Sequence, residues 1–129
     1  MAGVPKSIRI KGIGFVFPSD CSPSVYSAAS RQYTESTVFS DGSSEPMESV
    51  LTPKITGLQV KCKPSDWNKL KDLACKRNLP VVYETVDRVC EFTGYIVCSD
   101  GLSYDSAKGI TNEFEVHSED GKMNDTATS

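Results

Sequence analysis

Between residues 52 and 117 the chain runs through alternating, turn-punctuated strand candidates, interrupted by a single short amphipathic helix at residues 65–77. One helix covers only one side of a small sheet, so such a chain is left with strand edges that need a partner. Residues 52–62 place Leu58, Val60 and Cys62 on one face and Gln59 and Lys61 on the other, the pattern of a half-buried strand. Residues 88–98 set Cys90, Phe92, Ile96 and Cys98 against Val89, Glu91, Thr93, Tyr95 and Val97, so the second face is mixed rather than simply polar. Residues 109–117 set Ile110, Phe114 and Val116 opposite Thr111, Glu113, Glu115 and His117, and residues 79–86 are a fourth strand candidate. Gly101, after Ser99 and Asp100, supplies the tolerance of positive φ that a tight reversal requires.

The helix has legible ends. Ser65 is the expected N-cap, with Asp66 in the first turn and a largely basic second half. Trp67, Leu70, Leu73 and Ala74 fall on one stripe that should face the sheet, while Lys69, Lys71 and Lys76 stay in water. Asn78 and Pro80 then stop the helix.

Upstream, Ile8 and Ile10 alternate in one phase and Ile13, Phe15 and Phe17 in the other, which predicts a first strand over residues 1–17 bent by a bulge at Lys11-Gly12. Gly12 and Gly14 lack the third glycine and the following helix of a dinucleotide site and are read as structural. Residues 19–49 are rich in Ser, Pro and Gly and form a long connection, with a hairpin expected over residues 33–39 that turns at Ser40-Asp-Gly42. Tyr33, Val38, Phe39 and Met47 lie within it, apolar groups that a solvated loop has little reason to display. Residues 118–129 carry no large apolar residue except Met123 and are expected to be a mobile tail.

At 129 residues the chain is expected to be one domain, residues 1–129, large enough to fold without obligatory disulfides or metal. Fourteen Lys and Arg against 17 Asp and Glu give a net charge of -3, which argues against a protein that grips phosphates. The charge is segregated. Residues 61–77 hold six basic and two acidic residues, whereas residues 84–105 hold five acidic and one basic. Lys6, Arg9 and Lys11 interrupt what would be the apolar core of a signal peptide, and no run reaches the length of a membrane span, so synthesis in the cytosol without membrane insertion is expected.

Catalytic chemistry finds little support. The five cysteines include no Cys-x-x-Cys and there is one histidine, so no zinc site is expected. Cys62, Cys90 and Cys98 read as buried thiols acting as small apolar residues, and Cys21 and Cys75 as exposed thiols that assembly could bring together and oxidation cross-link. His117 has no nucleophile placed beside it by a recognisable motif, and Trp67 reads as core. The Asn124-Asp-Thr126 sequon means little without a secretory signal. No cofactor is expected.

The order of strand, single capped helix, strand, then Glu91-Phe-Thr-Gly94 inside a long strand, a polar turn and Asn112-Glu-Phe-Glu-Val116 resembles the tail tube proteins of tailed bacteriophages. The likeness is to the short tubes of Mu-like and other contractile-tailed phages, and to the tubes of type VI secretion systems. It covers roughly residues 7–117 and is best from Thr52 onward. It implies a mainly β subunit, a small antiparallel β-barrel or sandwich with one flanking helix and a long extended loop. Such subunits close into hexameric rings that stack helically around a channel through which DNA passes without specific binding. The resemblance also implies a virion location, with tail sheath, baseplate and tail terminator proteins as partners, and a loop at residues 19–49 that contacts neighbouring subunits. In that setting Glu91, Glu113 and Glu115 are the candidates to face the channel, where like charge would keep a sliding polyanion from binding. The alternative from another class is a small β-barrel binding module of the OB type, which the helix between strands permits but the acidic strands oppose. A small enzyme comes third.

Overall fold

The computed structural model describes residues 5–26 and 31–127, with the backbone alone for Arg31 and Val50; the parts of the expected first strand, long connection and tail at residues 1–4, 27–30 and 128–129 lie outside the described residues. The elements in chain order are β1 (Pro5–Ile10), β2 (Ile13–Val16), β3 (Ser24–Tyr26), β4 (Arg31–Val38), β5 (Ser44–Val50), β6 (Lys54–Leu58), α1 (Pro64–Leu73), β7 (Leu79–Thr85), β8 (Arg88–Val97), β9 (Tyr104–Asp105), β10 (Ile110–Thr111), β11 (Phe114–Ser118) and β12 (Asn124–Ala127). The fold is mainly β with one helix. The main sheet is antiparallel in the order β2-β1-β7-β8-β11-β6-β3, with β12 paired to β8 beside this path, while β9-β10 and β4-β5 form separate two-stranded ribbons. The barrel expected from sequence is not closed. Its two ends are short strands, and β2 reaches the far side only through one bridge, Val16 to Lys61.

The phase change in the first strand has a different cause from the expected bulge. Lys11 and Gly12 both take positive φ, 52° and 81°, and Ile10 pairs with Ile13, so the chain reverses in a two-residue turn and forms the β1–β2 hairpin. Positive φ at both central residues gives a turn whose twist matches that of the flanking strands. Ile8, Ile10 and Phe15 thereby reach the same core.

Strand β6 is shorter than residues 52–62. Gly57, at φ 71°, sits in an irregularity where three residues of β6 span two of β11, and the chain beyond it runs on to the bridges at Lys61. The run at residues 109–117 is likewise split. Thr111 is buried, not exposed, and its hydroxyl accepts the Val60 amide at 3.2 Å. Residues 118–127 are not a free tail: Ser118 is buried and β12 continues along the same edge of β8 that β11 leaves, pairing Asn124 with Glu91 and Ala127 with Arg88. The five residues between them are pinched out into a loop, closed by the Ser118 hydroxyl donating to the Lys122 carbonyl at 2.7 Å.

Helix α1 packs Leu70 and Leu73 into the core as the stripe predicts. Its start is one residue earlier than expected, at Pro64, with Lys63 at the N-cap and no side-chain cap, so Ser65 lies inside the first turn instead of capping it. Proline at the first position has no amide to leave unsatisfied. The helix also ends at Leu73, before the expected Arg77, and Asn78 takes positive φ, 57°, on the way into β7. Trp67 is half-buried and stacks on Tyr104 at 5.3 Å, and the Tyr104 hydroxyl donates to the Cys62 carbonyl at 2.9 Å. This joins the helix to the β9-β10 ribbon.

Gly94 occupies the middle of the sheet, paired with Leu79 on one side and Ser118 on the other. A Cβ there would overlap the carbonyl of His117. Backbone cannot yield as a flexible side chain does, so Gly94→Ala should cost at least about 2 kcal/mol, within the range known for overpacked cores. Gly14→Ala, where a Cβ meets nothing within 4 Å, should stay within about 0.5 kcal/mol of wild type. Urea denaturation of the two variants checks this; equal midpoints would mean that the close approach carries no weight.

Candidate functional site

Two surfaces hold the residues singled out from sequence. The first is the β4–β5 hairpin. Every described residue from Gln32 to Glu48 is exposed and none belongs to the core cluster, so the ribbon projects from the body. The expected hairpin is present and longer than residues 33–39, with Phe39 and Ser43 closing the turn through a 2.8 Å hydrogen bond. Tyr33 is 69% exposed, Val38 72%, Phe39 47% and Met47 48%. Cross-strand partners share a face, and the register puts Tyr33, Val38 and Pro46 on one side and Glu35, Glu45 and Met47 on the other, with Phe39 at the tip. From Gln32 to Val50 the ribbon has four acids and no Lys or Arg. An isolated two-stranded ribbon is only marginally stable in water.

The second surface is the outer face of the main sheet. Register aligns Tyr95, His117, Lys54 and Tyr26 in one row across β8, β11, β6 and β3. The Tyr95 and His117 rings lie 6.0 Å apart, and the Lys54 ammonium sits 5.5 Å from the Tyr26 ring centroid, a cation–π arrangement. Glu115 closes the row, with Oε1 at 2.9 Å from His117 Nε2 and 3.9 Å from Lys54 Nζ. Beside the row, at the foot of the hairpin, Tyr26, Gln32, Leu51, Pro53, Lys54 and His117 line a cavity of about 380 Å³.

The three acids named as channel candidates lie in different places. Glu113 and Glu115 border one shallow depression with Asp100, but Glu115 is already engaged by His117 and Lys54. Glu91 is exposed and lies six residues away along β8, about 20 Å at the rise of a strand, in a row with Val82 and Asn124.

Among the thiols, Cys21 does not match the expectation of exposure. It is 8% exposed, its Sγ donates to the Gly57 carbonyl at 3.5 Å, and burial raises its pKa. Burial follows from the chain folding back over the β6 irregularity, where the Ser22 carbonyl approaches Gly57. Cys75 is exposed, as expected, beyond the end of α1. Cys90 is fully buried, whereas Cys62 and Cys98 are only partly so. Among the described residues no group of His, Cys, Asp and Glu is placed to hold a metal ion, and no helix is long and apolar enough to cross a membrane. Comparison of the chain with protein-family models, curated proteins and solved structures finds no match.

Sequence reasoning identified the apolar residues of the hairpin but missed the row from Tyr95 to Tyr26. Its members come from four strands, and only the register brings them together.

Burial raises the Cys90 thiol to about 12, with the Asp125 carboxylate adding to the effect, and raises the Tyr83 hydroxyl to about 12. Both groups are neutral in the fold, whereas in the unfolded chain they ionise near their ordinary values of 9.0 and 10.0. Their stabilising contribution is complete below pH 9 and is lost as pH rises toward 12, because only the unfolded state releases protons in that window. Urea midpoints should fall steadily from pH 9 to pH 11, and Cys90→Ala should flatten part of that slope. A midpoint independent of pH over this range would contradict the burial of both groups.

Proposed function

We propose that the protein is a structural subunit that assembles with copies of itself into a hollow tube of stacked hexameric rings, as the resemblance to phage tail tube proteins implies. The observation that carries this is the projecting hairpin, with Tyr33, Val38, Phe39 and Met47 all exposed on a ribbon outside the core. A monomer in water gains nothing from such a ribbon. Full burial of each of these side chains against a neighbour would contribute about 1.5–3 kcal/mol before the cost of ordering the interface is subtracted. The open sheet supports the same reading: β3 and β2 end it with short edges, and head-to-tail contacts that close a ring cover edges without leaving one free.

In this assembly the protein acts as a wall and not as a catalyst. It needs no cofactor and works in the virion tail after assembly in the host cytoplasm, with sheath, baseplate and terminator proteins as neighbours. Of the three acids we assign Glu91 to the channel lining, since it is exposed on the long central strand, whereas Glu115 is occupied by His117 and Lys54 and Glu113 lies in the connection between β10 and β11. An acidic lining repels the phosphates of passing DNA.

The purified protein should form rings or tubes in negative stain. Removing residues 34–48 and joining the ends with a short turn should leave a folded, soluble subunit that no longer elongates, because no core residue is lost. A wild-type protein that stays monomeric at high concentration, or a shortened one that polymerises normally, would sink the hairpin as the stacking element.

Replacing Glu91 with Lys should leave tubes intact and slow DNA ejection at low salt, with the effect fading as salt rises and phosphate contacts weaken. Ejection unaffected at low salt would remove Glu91 from the channel lining.

A further inference from the structure

Among the described residues eight large apolar side chains are well exposed, and six of them belong to the β4–β5 hairpin or its foot. Tyr33 and Met47 lie along the ribbon, and the other four form two groups at opposite ends. Val38 and Phe39 are at the tip, while Tyr26, 53% exposed, and Leu51, 40% exposed, stand at the foot around the cavity of about 380 Å³. β4 is eight residues long, so tip and foot are separated by about 25 Å of strand and the tip cannot fold back into its own cavity.

We propose that the hairpin tip of one copy seats in the foot cavity of the next, with the Phe39 ring against Tyr26, Leu51 and Pro53 and the Asp41 carboxylate toward Lys54 and His117.

The two ends match in chemistry. The cavity has an apolar wall and a basic rim, Lys54 and His117, which Glu115 contacts from one side. The tip offers one aromatic ring and one carboxylate two residues apart. Asp41 is held in place, its Oδ1 accepting the Ser43 amide at 2.9 Å and the Ser43 hydroxyl at 2.5 Å, and these bonds lower its pKa. The carboxylate is thus charged and oriented before any partner arrives, which reduces the ordering cost of association. Because each copy carries one tip and one cavity at different places, the contact is heterologous. It propagates in one direction, with every cavity filled except at one end of the array. The inference rests on the tube reading and deepens it by naming the receptor for the hairpin and giving the assembly a polarity.

Cross-linking and charge exchange test it together. In a background with Cys62, Cys75 and Cys98 replaced by Ser, Phe39→Cys and Leu51→Cys proteins are prepared separately, mixed under assembly conditions and mildly oxidised. A disulfide-linked dimer should appear only in the mixture. In parallel, Asp41→Lys should raise the concentration needed for assembly at least about tenfold, and Lys54→Glu in the same chain should reverse most of that loss, as coupled charge pairs across an interface do. Asp41 is exposed and outside the core, so unchanged urea midpoints for Asp41→Lys exclude a folding defect as the cause. Tubes that form normally with no linked dimer in the mixture, or an Asp41→Lys defect that Lys54→Glu does not relieve, would overturn the cavity as the receptor while leaving the tube reading intact. A wild-type protein that shows neither particles nor, as the cysteine pair, any linked dimer would overturn both.

Discussion

The close approach of β11 to β8 at Gly94 is the constraint on which the rest of the sheet depends. β8 is the longest strand and carries partners along both edges, β7 on one side and β11 followed by β12 on the other. Its alternate residues Cys90, Phe92 and Ile96 enter the core together with Val81 and Tyr83 from β7 and Phe114 and Val116 from β11. The His117 carbonyl occupies the space where any other residue at position 94 would place its Cβ. That contact sets where β11 runs, and the position of β11 determines both the burial of Ser118 and the row in which His117 meets Tyr95 and Lys54.

From this frame the molecule divides into a body with a well-covered core and an arm without one. The body buries apolar groups from nearly every main-sheet strand and two residues of the helix. The arm is a ribbon stabilised by its own ladder and by small local contacts, such as the 2.7 Å hydrogen bond between the Thr34 and Ser49 hydroxyls. Hydrogen bonds exposed to water contribute little net stability, so the ribbon has far less holding it in place than the body has. The same physical logic makes the foot of the arm informative: the cation–π pair of Lys54 and Tyr26 and the contact of Glu115 with His117 order a surface that the core does not require.

The sheet also explains why the acids along it are not equivalent. Glu115 lies beside His117 and Lys54 of the adjacent row, and the Lys54 ammonium reduces the field it projects outward. Glu91 has Val82 and Asn124 as its lateral neighbours. Sequence spacing alone made them appear alike, since each sits on the more polar face of an alternating strand.

The periodicities of β8, of α1 and of the segments around Ile8 and Phe15 were legible in the sequence because they depend on near neighbours, period two for a strand and a stripe for a helix, whereas the end of α1 at Leu73 comes earlier than Asn78 and Pro80 suggest. The exposure of Tyr33, Val38, Phe39 and Met47 was legible for the same reason, as apolar groups set among residues that cannot build a core. Tertiary structure decided everything that depends on which edges meet. It turned the expected bulge at Lys11-Gly12 into a hairpin, drew residues 124–127 from an expected tail into a strand against β8, buried Cys21 and left the sheet open instead of closed. A polar segment such as Asn124 to Ala127 carries no hydrophobic signal, yet its backbone amides and carbonyls pair as well as any others once β8 presents an unfilled edge.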